Sequence, residues 1–550
     1  MVLGESLLLY GLGAGAAAAF GLPALKARLE LSRAKHPSLA GHARLARRVA
    51  ALVPGYAYGD DRFFSVDAAP AEVEGRRRAG FARLSALYRT RYARTLAVTE
   101  SAEEVLSDLQ FTAAYRVPFQ FSAYVRQHLP VGAFVAESAG PMLEDLDGNR
   151  FYDLAGSYGV NVFGHEFYKS CMAEGASRAA MLGPVLGAYH PAVDYNVRRL
   201  REISGLDEVS FHMSGTEAVM QAVRLARYHT RRSHLVRFCG AYHGWWEDVQ
   251  PGVGNPLPSR ATYTLKDMDD DSLRVLARRG DIACVLVNPV QALYPNSSAP
   301  ADGSLVDSGR RASFDREKYA AWLARLREVC SERGIALIFD EILVGFRLAA
   351  GGAQEYFGVR ADMVTYGKTV AGGFPVGVVC GRRKFMRRFD ETRPADICFA
   401  RGTFNAHPYV MASMQVFLER LGAMHHLYDG ADERWNARAM ELNRRLASEA
   451  LPVRVANLSS IWTVLYRRPS RYNWMLQYYL RAEGLALSWI GTGRLIFSFD
   501  YSDADFAAVT ERFLAAARAM EGDGWWWSPP ALTNRSIRRQ ILREMIRQRL

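Results

Sequence analysis

The chain has 550 residues, of which 49% are hydrophobic and 23% charged, and its formal net charge is +12. This composition excludes a disordered chain and a polytopic membrane protein, and it is typical of a soluble globular enzyme with several packing units. Arginine supplies almost all of the positive charge and is scattered along the chain, with no zinc knuckle or RNP-type aromatic pattern. We therefore expect no nucleic-acid partner. The six cysteines lack metal-ligand spacing, which predicts reduced thiols in the cytoplasm and no metal site.

The N-terminal segment 1–25 contains the uncharged run SLLLYGLGAGAAAAFGLPAL, and a basic stretch follows it. About twenty apolar residues are enough to cross a bilayer. The pattern predicts a membrane anchor or an interfacial helix, and a helix packed on the protein and a signal peptide remain as alternatives. The next region, 26–110, is predicted to form Arg-rich helices and carries no motif.

The pattern of the chain changes in region 111–195, which we interpret as the start of a small domain. Here LEDLDGNRFYDL predicts two strands around a turn at Asp147 and Gly148. Region 196–408 alternates apolar strand-like runs with helical stretches. It predicts an α/β domain with a mostly parallel sheet, helices on both faces, and chemistry at the carboxyl ends of the strands.

The remainder of the chain is predicted to form a smaller α+β unit, region 409–520, and a tail, region 521–550. The tail joins three consecutive tryptophans to a basic amphipathic helix. Such a helix fits an anionic membrane surface or a partner subunit.

A GKT triplet at residues 367–369 suggests a nucleotide-binding loop at first sight. A P-loop needs glycine five residues before its glycine-lysine pair, so that backbone N–H groups can wrap the phosphates. Asp362 stands there, and its carboxylate would repel them. A P-loop-like ATPase therefore remains only as a remote alternative. A non-catalytic scaffold is also remote, because Lys368 and Asp340 are both present.

Four polar positions follow predicted strands and could converge at one edge of the sheet. Gly215 and Thr216 lie at a strand-to-helix turn that suits one phosphate, although the same string is a good helix cap. Tyr242 offers a ring that could stack on a heteroaromatic ligand or simply be buried. Asp340 needs a cationic partner, and Lys368 is a candidate Schiff-base amine. Together, these groups are what pyridoxal phosphate requires.

The runs SGTEA, YHG, FDE, GGAQEYFG, GK with GGFPVG, and GTF occur in this order between residues 111 and 520. Over this region the chain resembles the class III aminotransferases of fold type I, and especially their glutamate-1-semialdehyde 2,1-aminomutase branch. The resemblance implies a homodimer whose active sites are shared between subunits, with pyridoxal phosphate as the cofactor.

The resemblance also implies a role for individual residues. Lys368 would form the internal aldimine and Asp340 would pair with the pyridine nitrogen. The further cofactor contacts implied are Ser214, Gly215, Thr216, Tyr242, Gln291, Ile342 and Thr403, the last reaching the neighbouring subunit's phosphate. The implied substrate mouth consists of Ser157, Tyr158 and Asn288.

Two departures from the family pattern bear on the substrate. Asn288 stands where the family usually has glutamate, and Tyr158 replaces a tryptophan. The loss of the charge at position 288 points away from ordinary glutamate handling, and Tyr158 reshapes the substrate mouth. We therefore predict a transaminase with small-molecule amino donor and acceptor, acting on a hydrophobic or aldehyde- or ketone-bearing substrate. The alternative is an aminomutase that converts glutamate-1-semialdehyde to 5-aminolevulinate.

Overall fold

The computed structural model describes residues 23–250, 252–257, 259–293, 312–488 and 493–549. Residues 1–22 of the N-terminal segment, which we predict to be a membrane anchor or an interfacial helix, lie outside these ranges. Within them, no helix combines the length and the apolar character that a membrane span requires.

The strands and helices follow the alternation that the sequence predicts. The strands are β1 Glu137–Ala139, β2 Met142–Glu144, β3 Arg150–Asp153, β4 Glu208–His212, β5 His234–Phe238, β6 Thr262–Leu265, β7 Ile282–Val287, β8 Ala336–Asp340, β9 Met363–Gly367, β10 Gly377–Gly381, β11 Phe389–Asp390, β12 Arg393–Ile397, β13 Val453–Leu458, β14 Ile461–Tyr466, β15 Leu485–Ala486 and β16 Arg494–Ile496. The helices are 23–34, Ala43–Ala50, Asp60–Phe63, Ala71–Arg91, Ala93–Glu103, Ser107–Ala114, Phe119–His128, His165–Ala179, Ala192–Ser204, Gly215–Thr230, Asp270–Arg278, Arg316–Arg333, Gly352–Phe357, Arg383–Met386, Pro408–Leu421, Ala431–Ser448, Leu476–Ala482, Asp503–Gly522 and Asn534–Arg547.

A seven-stranded sheet forms the centre of the large domain, in the order β4-β10-β9-β8-β7-β5-β6. The neighbours from β9 to β6 are parallel, whereas β10 runs antiparallel to both β9 and β4. Every residue of β7, β8 and β9 is buried, because helices cover both faces of the sheet. The predicted mostly parallel α/β fold is confirmed.

The smaller sheet β1-β2-β3-β15 contains the predicted hairpin. Leu143 of β2 lies opposite Phe151 of β3, with the Asp147-Gly148 turn between the strands. Gly148 has a φ of +79°, a conformation that glycine adopts without strain. Strand β15 adds to β3 in parallel, so the sheet joins the beginning and the end of the family-like region.

The N-terminal helices share one hydrophobic core with the C-terminal unit. This core includes Phe63, Phe81 and Tyr88 on one side and Trp474 and Phe513 on the other. The helices of the predicted Arg-rich region therefore pack against the C-terminal residues.

The tryptophans before the C-terminal helix are core residues. Trp525 and Trp526 have no exposed surface, and their indole N–H groups donate to Tyr479 Oη at 2.7 Å and Asn473 Oδ1 at 3.1 Å. Trp525 and Trp526 therefore belong to the shared core and add no exposed surface next to the predicted amphipathic helix. The predicted helix itself is present, as Asn534–Arg547.

Candidate active site

Four strand ends place the predicted site residues at one edge of the central sheet. Strands β4, β5, β8 and β9 run in the same direction, because β10 is antiparallel to both β4 and β9. Their carboxyl ends lead to Gly215, Tyr242, Asp340 and Lys368. A parallel sheet collects the loops that follow its strands at the same edge, which is where ligands bind in such folds.

Lys368 begins the turn after β9 with a left-handed φ of +49°, a strained conformation for a residue with a side chain. Its ammonium group donates to the backbone carbonyl of Tyr158. Burial lowers the pKa of Lys368 to about 8, the positive charge of Arg347 acts in the same direction, and Asp340 opposes them. The amine is therefore easier to deprotonate than an ordinary lysine, as a nucleophile requires.

Asp340 is held from two sides at the end of β8. Its Oδ2 lies 2.7 Å from Nδ1 of His243, and its Oδ1 accepts from the N–H of Ile342 at 3.2 Å. Burial lowers the pKa of His243, which favours a neutral imidazole that donates from Nδ1. Sequence reasoning did not select His243, although it is the central residue of the YHG run.

The turn between β4 and the following helix has the form of a phosphate site. Ser214 caps the helix by accepting from the N–H of Glu217 at 3.2 Å. A Cβ on Gly215 would lie 2.5 Å from Cδ1 of Ile342, and a Cβ on Gly244 would lie 2.5 Å from Oγ1 of Thr216. Glycine at these positions lets the loops approach closely, while the first N–H groups of the helix have no partner within it.

Three further predicted residues line the loops after β5 and β7. Tyr242 is 66% exposed, and its carbonyl accepts from Nδ2 of Asn288 at 2.9 Å. Asn288 is buried, so its amide fixes the Tyr242 loop, a role that the prediction of a substrate-mouth residue did not include. Gln291 donates to the carbonyl of Cys239 at 2.6 Å, and its Oε1 has no partner among the described residues.

Two residues of the predicted substrate mouth, Ser157 and Tyr158, lie in a strained turn that contacts Lys368. Ser157 and Tyr158 both have left-handed backbones, with φ of +47° and +57°, and the Tyr158 side chain is 53% exposed. A Cβ on Gly159 would lie 2.3 Å from Leu343 and 3.7 Å from Cδ of Lys368. This turn therefore packs directly against the Lys368 side chain.

Thr403 and Asp362 lie apart from these contacts. Thr403 occupies an exposed turn, and its side chain forms no hydrogen bond within the described part of the chain. Asp362 pairs with Arg327 at 2.7 Å and accepts from the N–H of Leu337 at 2.9 Å. The Asp362 carboxylate thus links the helix Arg316–Arg333 to β8. Asp362 therefore has a structural role and is not part of a phosphate-binding loop.

The family model described as aminotransferase class-III matches residues 123–247 and 315–516. The chain belongs to this family. A glutamate-1-semialdehyde 2,1-aminomutase of Nitratidesulfovibrio vulgaris strain DP4 is 31% identical over 425 residues, which cover 74% of this chain and 97% of the relative. The aminomutase of Alkaliphilus oremlandii is 34% identical over 345 residues, or 58% of this chain and 75% of the relative.

Solved structures of the same fold agree with the family assignment. A transaminase with bound pyridoxal phosphate is 26% identical, with a TM-score of 0.64, and the match covers 78% of this chain and 98% of that one. A glutamate-1-semialdehyde aminomutase from Pseudomonas aeruginosa PAO1 has the same TM-score at 19% identity, over 82% and 99% of the two chains, and shows the fold alone. The protein is an enzyme of fold type I that uses pyridoxal phosphate and acts on small molecules.

The residues at the sheet edge fit this cofactor. The pKa of Lys368 is lowered by burial, and Asp340 is buried without a lysine or arginine ion pair within the described ranges. Nε2 of His243 and Oε1 of Gln291 are buried polar atoms that lack a partner there. An amine, a carboxylate and a helix N-terminus are suited to the aldehyde, the ring nitrogen and the phosphate respectively.

Proposed function

We propose that the enzyme transfers an amino group at Lys368 between two small molecules, with an aldehyde or a ketone as the acceptor. The observation that carries this proposal is the desolvated Lys368 next to the Asp340–His243 pair. Pyridoxal phosphate, when bound, supplies an electron-accepting ring. Lys368 would hold it, and its amine would carry protons to and from the substrate carbon.

The other residues would bind and orient the cofactor. Asp340 would balance the charge of a protonated ring nitrogen, with His243 keeping the carboxylate in position. Ser214, Gly215 and Thr216 would hold the phosphate, while Tyr242 and Ile342 would contact the two faces of the ring. Gln291 would accept from the ring hydroxyl through its unpaired Oε1.

We favour a transaminase over an aminomutase because of the side chains at the predicted substrate mouth. The exposed ring of Tyr158 and the nearby apolar Leu343 favour a hydrophobic substrate. The named relatives support the second candidate, an intramolecular transfer on glutamate-1-semialdehyde. The two reactions differ in whether a separate donor and acceptor are needed.

The first test is the absorption spectrum of the purified enzyme. We expect a visible cofactor band that Lys368→Ala abolishes and that Lys384→Ala, at an exposed lysine, leaves unchanged. A colourless protein that takes up no pyridoxal phosphate would refute the proposal.

The second test distinguishes the two reactions. The enzyme is incubated with glutamate-1-semialdehyde alone, and the product is analysed for 5-aminolevulinate. We expect no turnover without an added donor. Formation of 5-aminolevulinate under these conditions would establish the aminomutase instead.

We also infer a homodimer in which Thr403 reaches the partner subunit's phosphate site. Two exposed phenylalanines, Phe399 at 67% and Phe404 at 52%, flank Thr403 and provide apolar surface for an interface. Sedimentation should give twice the mass of the chain. Thr403→Val should weaken cofactor retention, although Thr403 is not part of the single-chain site described above.

We propose that the enzyme is located in the cytoplasm. The six cysteines are free and buried, which suits the reducing cytoplasm. Contact of the N-terminal segment or the C-terminal helix with a membrane surface can be tested by flotation with anionic vesicles.

A further inference from the structure

Arg347, in the loop after β8, has no exposed surface, and within the described ranges it hydrogen-bonds only to neutral oxygens. Its Nη1 donates to Oγ of Ser460 at 2.8 Å and to the carbonyl of Phe497 at 2.6 Å. Its Nη2 donates to the carbonyls of Gly159 at 3.4 Å and Asn161 at 2.8 Å. One buried cation thus connects three segments that are far apart in the sequence, although burying a charge without a counterion costs free energy.

The backbone before Arg347 is shaped to place this side chain. Phe346 has a left-handed φ of +60°, which is unfavourable for a bulky residue. Tyr428 donates to the carbonyl of Phe346 at 2.7 Å, and a Cβ on Gly345 would lie only 2.7 Å from the carbonyl oxygen of Glu341. Strain of this kind persists only where the surroundings enforce it. The loop therefore fixes the position from which Arg347 reaches the other segments.

The turn 156–159 needs contacts that hold it in place. Its four consecutive residues all have left-handed backbones, and two of them, Ser157 and Tyr158, carry side chains. Oδ1 of Asp153 fixes the start of the turn by accepting from its first N–H at 3.0 Å. Arg347 fixes the end, because it donates to the last carbonyl of the turn and to the carbonyl two residues later.

The same turn supplies the hydrogen-bond acceptor of Lys368. The Lys368 amine donates to the carbonyl of Tyr158, and the next carbonyl along the chain, that of Gly159, accepts from Arg347. Lys368 and Arg347 therefore bond to adjacent carbonyls of one strained turn. A shift of the Arg347 side chain would move the acceptor of the amine.

The hydrogen bonds of Arg347 leave it no free pair of donors for a ligand. A guanidinium has four N–H groups on its two terminal nitrogens, and the four bonds to Ser460, Phe497, Gly159 and Asn161 use all of them. Only the buried Nε lacks a partner in the described part of the chain. Arg347 is therefore built to hold the protein backbone.

We propose that Arg347 is a positioning residue that fixes the Tyr158 carbonyl as the acceptor of the Lys368 amine whenever this amine is not bonded to the cofactor. The inference rests on the proposed amino transfer at Lys368. In that reaction the amine carries protons to and from the substrate carbon, which requires a fixed orientation. Because Arg347 also binds Ser460 and Phe497, the C-terminal unit contributes to this orientation.

The charge of Arg347 provides a readout that a purely structural role would not change. Burial lowers the pKa of Lys368, Arg347 and Arg494 act in the same direction, and Asp340 opposes them. These charges come from the loop after β8, from β16 and from the end of β8 respectively. Removing the Arg347 charge should raise the pKa of Lys368 toward the ordinary 10.5, whereas a substitution that keeps the charge should not.

The test uses the full-length, cofactor-free enzyme. Hydrogen exchange of a peptide spanning residues 155–162 reports on the turn, and the pH dependence of Lys368 acylation reports on the amine. Arg347→Lys keeps the charge but not the four directed donors, so exchange in the turn should become faster while the acylation midpoint stays near pH 8. Arg347→Gln should speed exchange and also raise the midpoint, which slows acylation at pH 8 several-fold.

Matched variants separate positioning from general stability. Arg471→Gln, at another arginine that is only 1% exposed, should destabilise the protein without changing exchange in the turn or the midpoint. Ser460→Ala removes one acceptor of Arg347 away from the turn and should have a smaller effect than Arg347→Lys, so these two variants provide the test even if Arg347→Gln does not fold. Unchanged exchange in Arg347→Lys, or equal changes in Arg471→Gln, would overturn the proposal.

Cofactor binding separates this inference from the proposed function. Arg347→Lys should weaken the binding of pyridoxal phosphate about tenfold in equilibrium dialysis. If Lys368→Ala keeps the visible cofactor band, amino transfer at Lys368 fails, while faster exchange in the Arg347 variants would still support positioning of the turn. If Lys368→Ala loses the band and neither Arg347 variant alters exchange in the turn, the role of Arg347 is rejected and the proposed function stands.

Discussion

The imidazole Nδ1 of His243 lies 2.7 Å from the carboxylate Oδ2 of Asp340, and the two side chains are only 0% and 3% exposed. The carboxylate thus has a fixed orientation at the end of β8. It also acts on Lys368, because its negative charge partly offsets the burial that lowers the lysine's pKa. We therefore expect His243 to influence the pKa of Lys368 through the position of Asp340.

Substitution of His243 should weaken cofactor binding. His243→Phe removes the donor to Asp340, and loss of a hydrogen bond to a charged group costs about 1.5–3 kcal/mol, or about tenfold to a hundredfold in affinity. His243→Asn can still donate from its amide and should lose less. Equilibrium dialysis with pyridoxal phosphate measures both effects. Equal affinities in the wild type and His243→Phe would contradict this role.

The lowered pKa of Lys368 should be visible in the cofactor-free enzyme. Neutral amine reacts with acylating reagents, so the labelling rate of Lys368 should rise with a midpoint near pH 8, instead of the ordinary lysine value of 10.5. Asp340→Asn removes the charge that raises this pKa and should shift the midpoint lower. Mass spectrometry of the labelled peptide gives the rate, with Lys384→Gln as the control. A midpoint unchanged by Asp340→Asn would argue against the electrostatic coupling.

The buried pair Asp67–Arg77 should contribute strongly to stability. Its N–O distance is 2.7 Å, and neither side chain is exposed. Arg77 also donates to the carbonyl of Gly524 at 3.0 Å, which links the N-terminal helices to the tail. Asp67→Ala would strand the buried guanidinium and should lower the free energy of unfolding by about 4 kcal/mol.

Urea denaturation measures this loss. The exposed Arg78–Asp60 pair supplies the control, since Arg78→Gln should cost less than about 1 kcal/mol. The double variant Asp67→Leu/Arg77→Met should lose less free energy of unfolding than Asp67→Leu and Arg77→Met lose together as single variants, because no charge remains unpaired in it. Additive losses would indicate that the pair is not coupled.

Glu544 should make the attachment of the C-terminal helix sensitive to acid. It accepts from Arg471 at 2.8 Å and from Arg62 at 3.1 Å, and Arg471 is 1% exposed. Burial opposes ionisation, but the hydrogen bond and charge of Arg471 outweigh it and lower the pKa of Glu544. A depressed carboxyl pKa stabilises the fold above the unfolded value of 4.5, and this stability is lost as the pH falls through the folded pKa.

Glu544→Gln should therefore lower the free energy of unfolding by about 2 kcal/mol at neutral pH, with the difference from wild type shrinking in acid. Denaturation curves across this pH range provide the measurement. Arg543→Gln, at an exposed neighbour, should leave stability unchanged. A difference that does not depend on pH would show that the charge of Glu544 is unimportant.

The large-domain fold could be predicted because its central strands are short, mostly apolar runs. ALIFD and MVTYG are buried on both faces, so hydrophobicity alone marks β8 and β9, and each run ends next to Asp340 or Lys368. The hairpin was predictable for a local reason, since Asp147-Gly148 favours a tight turn. The roles of His243 and Asn288 were not, because each bonds to an element far away in sequence.

The burial of the tryptophans in the tail was also not predictable from the sequence. Three consecutive tryptophans beside a basic amphipathic helix are compatible with a membrane surface, a partner or a core, and composition does not distinguish these environments. Trp525 and Trp526 are buried because the N-terminal helices and the C-terminal unit enclose them. That packing depends on contacts between residues more than four hundred positions apart in the chain, such as Arg77 and Gly524.

The sequence by itself determined the alternation of strands and helices, the chemical types at the strand ends and the family, because these depend on local hydrophobic period and short motifs. The tertiary structure alone decided which partner each polar group has: His243 for Asp340 and the Tyr158 carbonyl for Lys368. The physical reason is that pKa values and binding specificity depend on burial and on charges a few ångströms away, and chain folding brings those charges together from distant positions.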